Sequence, residues 1–302
     1  MFELWEKPRA EEIVMIAGWR QWADAGSLSS GLPQYLIEEM GAEKIGEFNN
    51  DGFYLFQIPG THDLVRPTVR MKDGYPEHVE ERKNEIFYVG DGLQGLVIFL
   101  GDEPHIDIDR YAKGFYDVAR ELGVKRVISL GGVYGELPYD KERTISSIYS
   151  HHRLKPELEQ YAVRFSGYQG GASIGTYLCK KAEQAQMEYV GFYAFVPTYD
   201  FSSSSQQAQG IRIENDFVAW LGVMKRINYM LNLNFDMTDL AARADKLIEV
   251  VDAKIDELEG EMPEAGIHEY LERISADFEE QTFLPLDDVW EEELRNLFDG
   301  LD

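Results

Sequence analysis

A chain of 302 residues, 44% hydrophobic and 13% aromatic, carries enough apolar material for one large packed domain or two ordinary ones. Its formal charge of −26 repels polyanions, which sets nucleic acid and anionic membranes aside as partners. No apolar run reaches membrane-span length, the opening Met1–Glu6 has acids where a signal peptide has bases, and a single cysteine, Cys179, permits no internal disulfide, so the expected location is the cytoplasm. The charge is uneven: from Asp236 to Asp302 there are 22 Asp and Glu against 5 Lys and Arg. Such a segment reads either as an acidic docking surface or as solvated helix faces.

In chain order, Glu12–Gly18 is the first buried strand, and it leads into the aromatic loop Trp19–Gly26. A helix follows to about Met40–Gly41, with Pro33 in its first turn or kinking it. Lys44–Phe48, Phe53–Ile58, Val65–Met71 and Glu85–Val89 have strand character, are punctuated by Gly52, Gly60 and Gly74, and are expected to add antiparallel to the sheet. The clearest stretch is Leu93–Gly135. Leu96–Leu100 is a short apolar run that stops at the turn Gly101–Pro104. A helical stripe follows (Ile108, Tyr111, Ala112, Phe115, Val118, Ala119, Leu122), with Asp107 as N-cap and Gly123 as its stop. Arg126–Leu130 is a second buried strand, ending at Gly131-Gly132. This β-α-β pattern predicts two parallel strands.

Thr144–Tyr149 is a further strand, Pro156–Tyr161 a short helix, and Tyr168–Ser173 a turn before a helix that carries Ile174, Leu178 and Ala182 on one face. Tyr189–Val196, closed by Pro197, is the last buried strand, and Ser202–Ser205 a connection. The remainder reads as helix: Ile211 to about Leu231, then a run from Asp239 with Thr238 as N-cap. There Leu240, Ala244, Leu247, Val251, Ile255 and Leu258 form a heptad-like seam. Pro263 breaks it, and helices at His268–Phe278 and Val289–Phe298 close the chain. The predicted class is α/β, a mixed but mainly parallel central sheet flanked by helices. Residues 1–205 form the core domain, and 206–302 an acidic helical extension packed on the core or on a neighbouring subunit.

Chemistry belongs where the loops after parallel strands meet, at Trp19–Gly26, Gly101–Pro104, Gly131–Gly135 and Val196–Asp200. The turn at Gly170-Gly171 joins them. Asp24 and Glu103 are the candidate acids: set together in a dry cleft they would divide acid and base roles, and otherwise they serve as local caps. Ser173 is a candidate nucleophile without a GxSxG elbow, with N-capping as its alternative. Trp19, Gly101, Gly131, Gly132, Gly170 and Gly171 are candidate ligand-binding positions, the glycines by letting backbone approach closely. The helix after Gly170-Gly171 would aim free N–H groups at an anion. Tight packing explains Gly131-Gly132 equally well. His151-His152 lacks metal-ligand spacing, Cys179 reads as a structural thiol, and no metal or cofactor is implied. Trp19, Trp22, Tyr134, Tyr139 and Tyr199 would line a pocket or a protein contact, or pack in the core.

Four of these motifs together resemble a known family. Gly18-Trp19…Asp24-Ala25-Gly26 resembles the G-W-x-D-A-G opening of the proteasome assembly chaperone 2 family. Gly101-Asp102-Glu103-Pro104 is similar to its G-E-x-P turn, Leu130-Gly131-Gly132 to its L-G-G turn, and Gly170–Ile174 to its G-x-x-G-I segment. Order and spacing agree from about Ile13 to Pro197. The resemblance implies a domain similar to the phosphorylase/hydrolase fold of purine nucleoside phosphorylases. It also implies homo-oligomers, with a trimer as one candidate form, and partnership with other proteins. There are departures. Arg20, Gln21 and Trp22 lengthen the first loop, Pro138–Lys141 replaces a P-H-T-R segment, and Gly300-Leu301-Asp302 lacks the hydrophobic-Tyr-x tail by which several assembly factors dock on proteasome rings.

Two classes of function are therefore expected. The first is a non-catalytic assembly or scaffold protein. The second is a phosphorylase- or hydrolase-like enzyme, or a ligand-binding relative without turnover, using the loop cleft. They differ in what Asp24 and Glu103 should do: face one concave pocket in an enzyme, or be locked in local hydrogen bonds in a scaffold.

Overall fold

Four parallel strands form the middle of the molecule, and the other elements are laid against them. The computed structural model describes residues 2–58, 65–201, 210–263 and 266–283. In chain order these give β1 (Phe2–Leu4), β2 (Glu12–Arg20), α1 (Gly31–Met40), β3 (Glu43–Phe48), β4 (Val69–Lys72), β5 (Tyr75–Val79), β6 (Asn84–Gly90), β7 (Gln94–Asp102), α2 (Ile108–Glu121) and β8 (Val124–Gly135). There follow β9 (Ile145–Tyr149), α3 (Lys155–Leu158), β10 (Arg164–Phe165), α4 (Ile174–Ala185), β11 (Glu188–Tyr199), β12 (Ile211–Arg212), α5 (Phe217–Leu231), α6 (Thr238–Glu261) and α7 (Ile267–Ala276).

The sheet runs β1-β3-β6-β7-β2-β8-β11-β9-β10, with β12 on the end of β11. Its centre, β7-β2-β8-β11, is parallel throughout. β6, β3 and β1 extend it antiparallel on one side, and β9 pairs antiparallel with β11 on the other. The central strands are apolar at nearly every position because both faces are covered. On one face Met15, Trp19, Phe99 and Val127 pack against Phe115 of α2 and Leu178 of α4. On the other, Ile16, Ile98, Ile128 and Phe192 pack against α1, α5 and α6 through Leu32, Met224 and Ile255. Residue alternation along each strand thus separates two cores across one sheet.

Several expected boundaries move. Phe53–Ile58 forms no strand; the buried Phe53 instead offers its carbonyl to the backbone N–H groups of His105 and Ile106. Val65–Met71 is strand only from Val69, and β4 pairs with β5 in a separate hairpin outside the main sheet. β8 does not end at Gly131-Gly132 but runs to Gly135, held by β11, which itself continues through Pro197. α5 begins at Phe217, since Ile211–Arg212 extends the sheet. α6 begins at Thr238, whose hydroxyl donates to Asp236 rather than capping the helix. Asp107 stands at the N-cap of α2 with φ 55, its carboxylate taken by Arg110. Gly60, Ser202–Ser205, the helix expected at Val289–Phe298 and the final Gly300-Leu301-Asp302 lie outside the described residues.

The seam of α6 is buried at Leu240, Ala244, Val251, Ile255 and Leu258, and Leu240, Val251, Ile255 and Leu258 belong to the core beneath α1 and α5. Ile255→Ala is therefore expected to cost about 2–5 kcal/mol in urea unfolding, within one cooperative transition. Val250→Ala, at a position 54% exposed, should stay within about 0.5 kcal/mol of wild type. Equal effects, or a separate early transition, would show α6 folding apart from the sheet.

Candidate functional site

The carboxyl ends of β2, β7, β8 and β11 share one rim, as their parallel registers require. The turn after β2 bends back through left-handed backbone at Gln21 (φ 92), Ala23 (φ 56), Gly26 (φ 62) and Ser27 (φ 49). Such conformations are costly outside glycine and persist only when neighbours hold them. Here Asp24 does the holding. Its Oδ1 accepts from the backbone N–H groups of Ser29 and Ser30 at 2.9 Å each, and its Oδ2 from the Ser30 hydroxyl at 2.7 Å. Burial raises the Asp24 carboxyl above the ordinary range, and the Ser30 and Ser29 hydrogen bonds oppose that shift.

The same turn sits on β8. Asp24 bridges to Gly132, whose N–H donates to the Ala23 carbonyl at 2.8 Å. A Cβ on Gly132 would stand 2.0 Å from the Ala25 carbonyl oxygen, and one on Gly131 would stand 2.4 Å from the Tyr193 ring. The close approach these glycines permit is made by the protein's own groups.

Glu103 joins the turn to α4. Its Oε1 accepts from Ile174 N–H at 2.7 Å, and the carboxylate also accepts from the backbone N–H of Trp22. The anion at the start of α4 is thus a side chain of this chain. Burial outweighs both hydrogen bonds and pushes the Glu103 carboxyl up to about 7. Ser173 is the N-cap of α4, accepting from Thr176 N–H at 3.2 Å, with its hydroxyl 3.1 Å from Tyr193 Oη and Thr176 Oγ1. Neither neighbour is a general base at neutral pH, and burial raises the Tyr193 phenol further.

Asp24, Glu103, Ser173 and Gly132 are therefore brought to one rim, each held by internal partners. Trp19 and Gly101 lie beneath it. Trp19 Nε1 donates to Tyr111 Oη (2.9 Å), Tyr111 donates to Asn84 Oδ1 (2.8 Å), and Asn84 Nδ2 donates to Tyr54 Oη (2.6 Å). Tyr54 closes the chain on the Asp102 carbonyl at 2.7 Å. Gly101 makes room for this network, since a Cβ there would stand 2.4 Å from Asn84 Oδ1. Gly170 lies under the Tyr168 ring, and a Cβ on Gly171 would touch Trp22 at 3.7 Å. Tyr168 is 71% and Trp22 59% exposed. Of the other clustered aromatics, Tyr199 is buried and donates to the Leu137 carbonyl, Tyr134 accepts from Arg212, and Tyr139 donates to Asp252.

Sequence patterns did not single out Arg143 and Asp216, both with side chains of zero exposure. Arg143 Nε donates to Asp216 Oδ2 at 2.7 Å and Nη2 to Oδ1 at 3.2 Å, while Nη1 donates to the carbonyls of Tyr139 and Lys141. Asp216 caps α5 through Ala219 N–H, and its own N–H donates to the Gly26 carbonyl. The pair ties α5 to the turn after β2. The one available signal was a lone acid immediately before the apolar run of α5. Among the described residues no group of three or more His, Cys, Asp or Glu is placed to hold a metal. Burial pushes the Cys179 thiol up to about 12, away from reactivity. No described helix is long and apolar enough to cross a membrane.

Fold and rim define an α/β protein whose strand-end turns are fastened to one another, with aromatic side chains left facing outward. The sequence matches the model of the PAC2 family over residues 18–255, and the chain belongs to that family. Its fold is similar to a PAC2 family protein from Streptomyces avermitilis (22% identity, TM-score 0.68, covering 86% of this chain and 99% of that one). It is also similar to a proteasome-assembly chaperone homologue from Mycobacterium tuberculosis (19%, 0.70, 85% and 99%). An archaeal proteasome activator from Pyrococcus furiosus shares the fold as well (21%, 0.60, 84% and 97%). No curated protein matches the sequence significantly.

Glu103 yields a pH test. A carboxyl raised from 4.5 to about 7 holds its proton more tightly folded than unfolded. Its contribution is complete below the unfolded value and is lost as pH rises through the folded one. Urea midpoints of wild type should therefore fall relative to Glu103→Gln between about pH 4.5 and 7 and run parallel above that. A constant difference across that window would mean that Glu103 titrates as an ordinary carboxyl.

Proposed function

We propose that this protein acts through protein–protein contacts as an assembly-chaperone-like member of its family, receiving its partner on the strand-end rim. The observation that carries the reading is the commitment of Asp24 and Glu103 to internal donors beside the outward-facing Trp22 and Tyr168. Exposed aromatic groups of this kind are the usual anchors of protein interfaces. Two relatives of the same fold are a proteasome-assembly chaperone homologue and a proteasome activator, which makes proteasome subunits the first partners to test. The reading includes a cytoplasmic homo-oligomer. The β4–β5 hairpin supports the oligomer: every residue of both strands is exposed, Met71 and Tyr75 among them, and a two-stranded hairpin alone is marginal in water.

One observation favours an enzyme instead, the Glu103 carboxyl at about 7, which suits general acid–base work. Its hydrogen bonds to Ile174 and Trp22 fit a fastening role better.

The test is affinity capture from the source cell with wild type and with a Trp22→Ser, Tyr168→Ser double variant. Both side chains are exposed, so circular dichroism and the melting temperature should be unchanged. Proteasome subunits are expected with wild type and should fall at least tenfold with the variant. An identical captured set from both proteins would contradict the assignment of the rim.

A further inference from the structure

Between the β4–β5 hairpin and the ends of β2 and β7 lies a cleft of about 650 Å3, within the range of small-molecule sites. Asp24, Glu103, Ser173, Gly132, Trp22 and Tyr168 lie outside its lining, and Asp102, whose carbonyl accepts from Tyr54, turns its carboxylate into it. We infer that this cleft binds a doubly charged oxyanion, of which the phosphate group is the common biological form.

The floor is Asp102, whose side chain is 6% exposed. Its Oδ2 accepts from the backbone N–H of Lys83 at 2.7 Å, Arg82 Nη1 stands 3.3 Å from Oδ1, and Arg20 Nη1 stands 3.6 Å from Oδ2. Two guanidinium groups on one carboxylate leave a net positive charge. Each guanidinium carries five N–H donors; Asp102 takes few of them, and the Gln21 amide oxygen takes a share of those on Arg82. A buried carboxylate is thus used to hold two arginines in place at the carboxyl ends of parallel strands, where open α/β sheets bind their ligands.

The opposite wall adds Arg70 from β4. Arg70 is exposed, and its side chain makes no hydrogen bond or ion pair among the described residues. Glu80, Glu81 and Glu85 line the cleft too, and Glu85 is paired at 2.9 Å with Lys44, which lies outside the lining and also holds Glu47. In a chain of charge −26, this concavity sets five cationic side chains (Arg20, Arg66, Arg70, Arg82 and Lys83) against four acidic ones (Glu80, Glu81, Glu85 and Asp102). Guanidinium forks suit the several oxygens of a phosphate better than a single-point contact would.

The test is thermal shift and calorimetry of the full chain at fixed ionic strength, with inorganic phosphate and with ribose 5-phosphate, against a chloride control. A saturable rise in melting temperature with phosphate is expected. Tighter binding of the ester would assign the site to a phosphorylated metabolite, and equal binding to free phosphate. Arg70→Ala removes an unpartnered exposed side chain, so it should fold normally and weaken binding at least tenfold. Lys72→Ala, on the same strand but paired with Glu77 outside the cleft, should bind as wild type. The Trp22→Ser, Tyr168→Ser variant should also bind as wild type, which separates this site from the docking rim. No rise beyond chloride, equal affinity of wild type and Arg70→Ala, or equal loss in Lys72→Ala would overturn the inference.

Discussion

The turn after β2 occupies the place where a side chain on β8 would be. Gly132 gives up that space to the Ala25 carbonyl and donates its N–H to Ala23. Once the turn is seated there, its remaining polar groups must find partners close by, because buried backbone groups are rarely left unpaired. Asp24 satisfies Ser29 and Ser30, Glu103 reaches Trp22 and Ile174, and Gly26 receives Asp216 N–H and Trp220 Nε1. Elements distant in sequence are thereby fastened to one rim. The two acids serve as connectors between these elements.

The Arg143–Asp216 pair shows how much of this depends on burial. Ion pairs at zero exposure contribute little beyond a hydrophobic pair of the same shape, yet breaking one by removing a single partner costs about 3–5 kcal/mol. Here the carboxylate also caps α5 and the guanidinium satisfies loop carbonyls, so its geometry is fully used. Arg226 follows a related pattern without a carboxylate. Its guanidinium donates to the carbonyls of Tyr161, Gly222 and Ala162, and burial lowers it to about 10. Both arginines close the ends of irregular segments that would otherwise bury unpaired carbonyl groups.

The parallel centre of the sheet was legible because strands covered on both faces need continuous apolar runs, as in Leu96–Leu100 and Arg126–Leu130. The convergence of their loops followed from that parallelism. The end of β8 was not legible: glycine usually marks a turn, whereas Gly131 and Gly132 continue the strand and admit Tyr193 and Ala25 from outside it. The hairpin was misread for a related reason. Val65–Met71 has strand propensity, but from Val69 onward it lacks a buried face, so it pairs locally instead of joining the sheet. Asn84 and Arg143 carry no local pattern, and Asp216 only that of an acid before a helix, because their roles arise from partners far away in the chain.

The central claim is that the turn after β2 fills the side-chain space of Gly132. Equilibrium unfolding of Gly132→Ala tests it by sign. At an open site with ordinary φ, Gly→Ala stabilises by about 0.4–1 kcal/mol through the unfolded chain, and Gly260→Ala in α6, with nothing within 4 Å of the new carbon, provides that reference. Gly132→Ala should instead lose more than about 2 kcal/mol, since backbone must move to admit the methyl group. A Gly132→Ala protein as stable as wild type, or more so, would contradict the account.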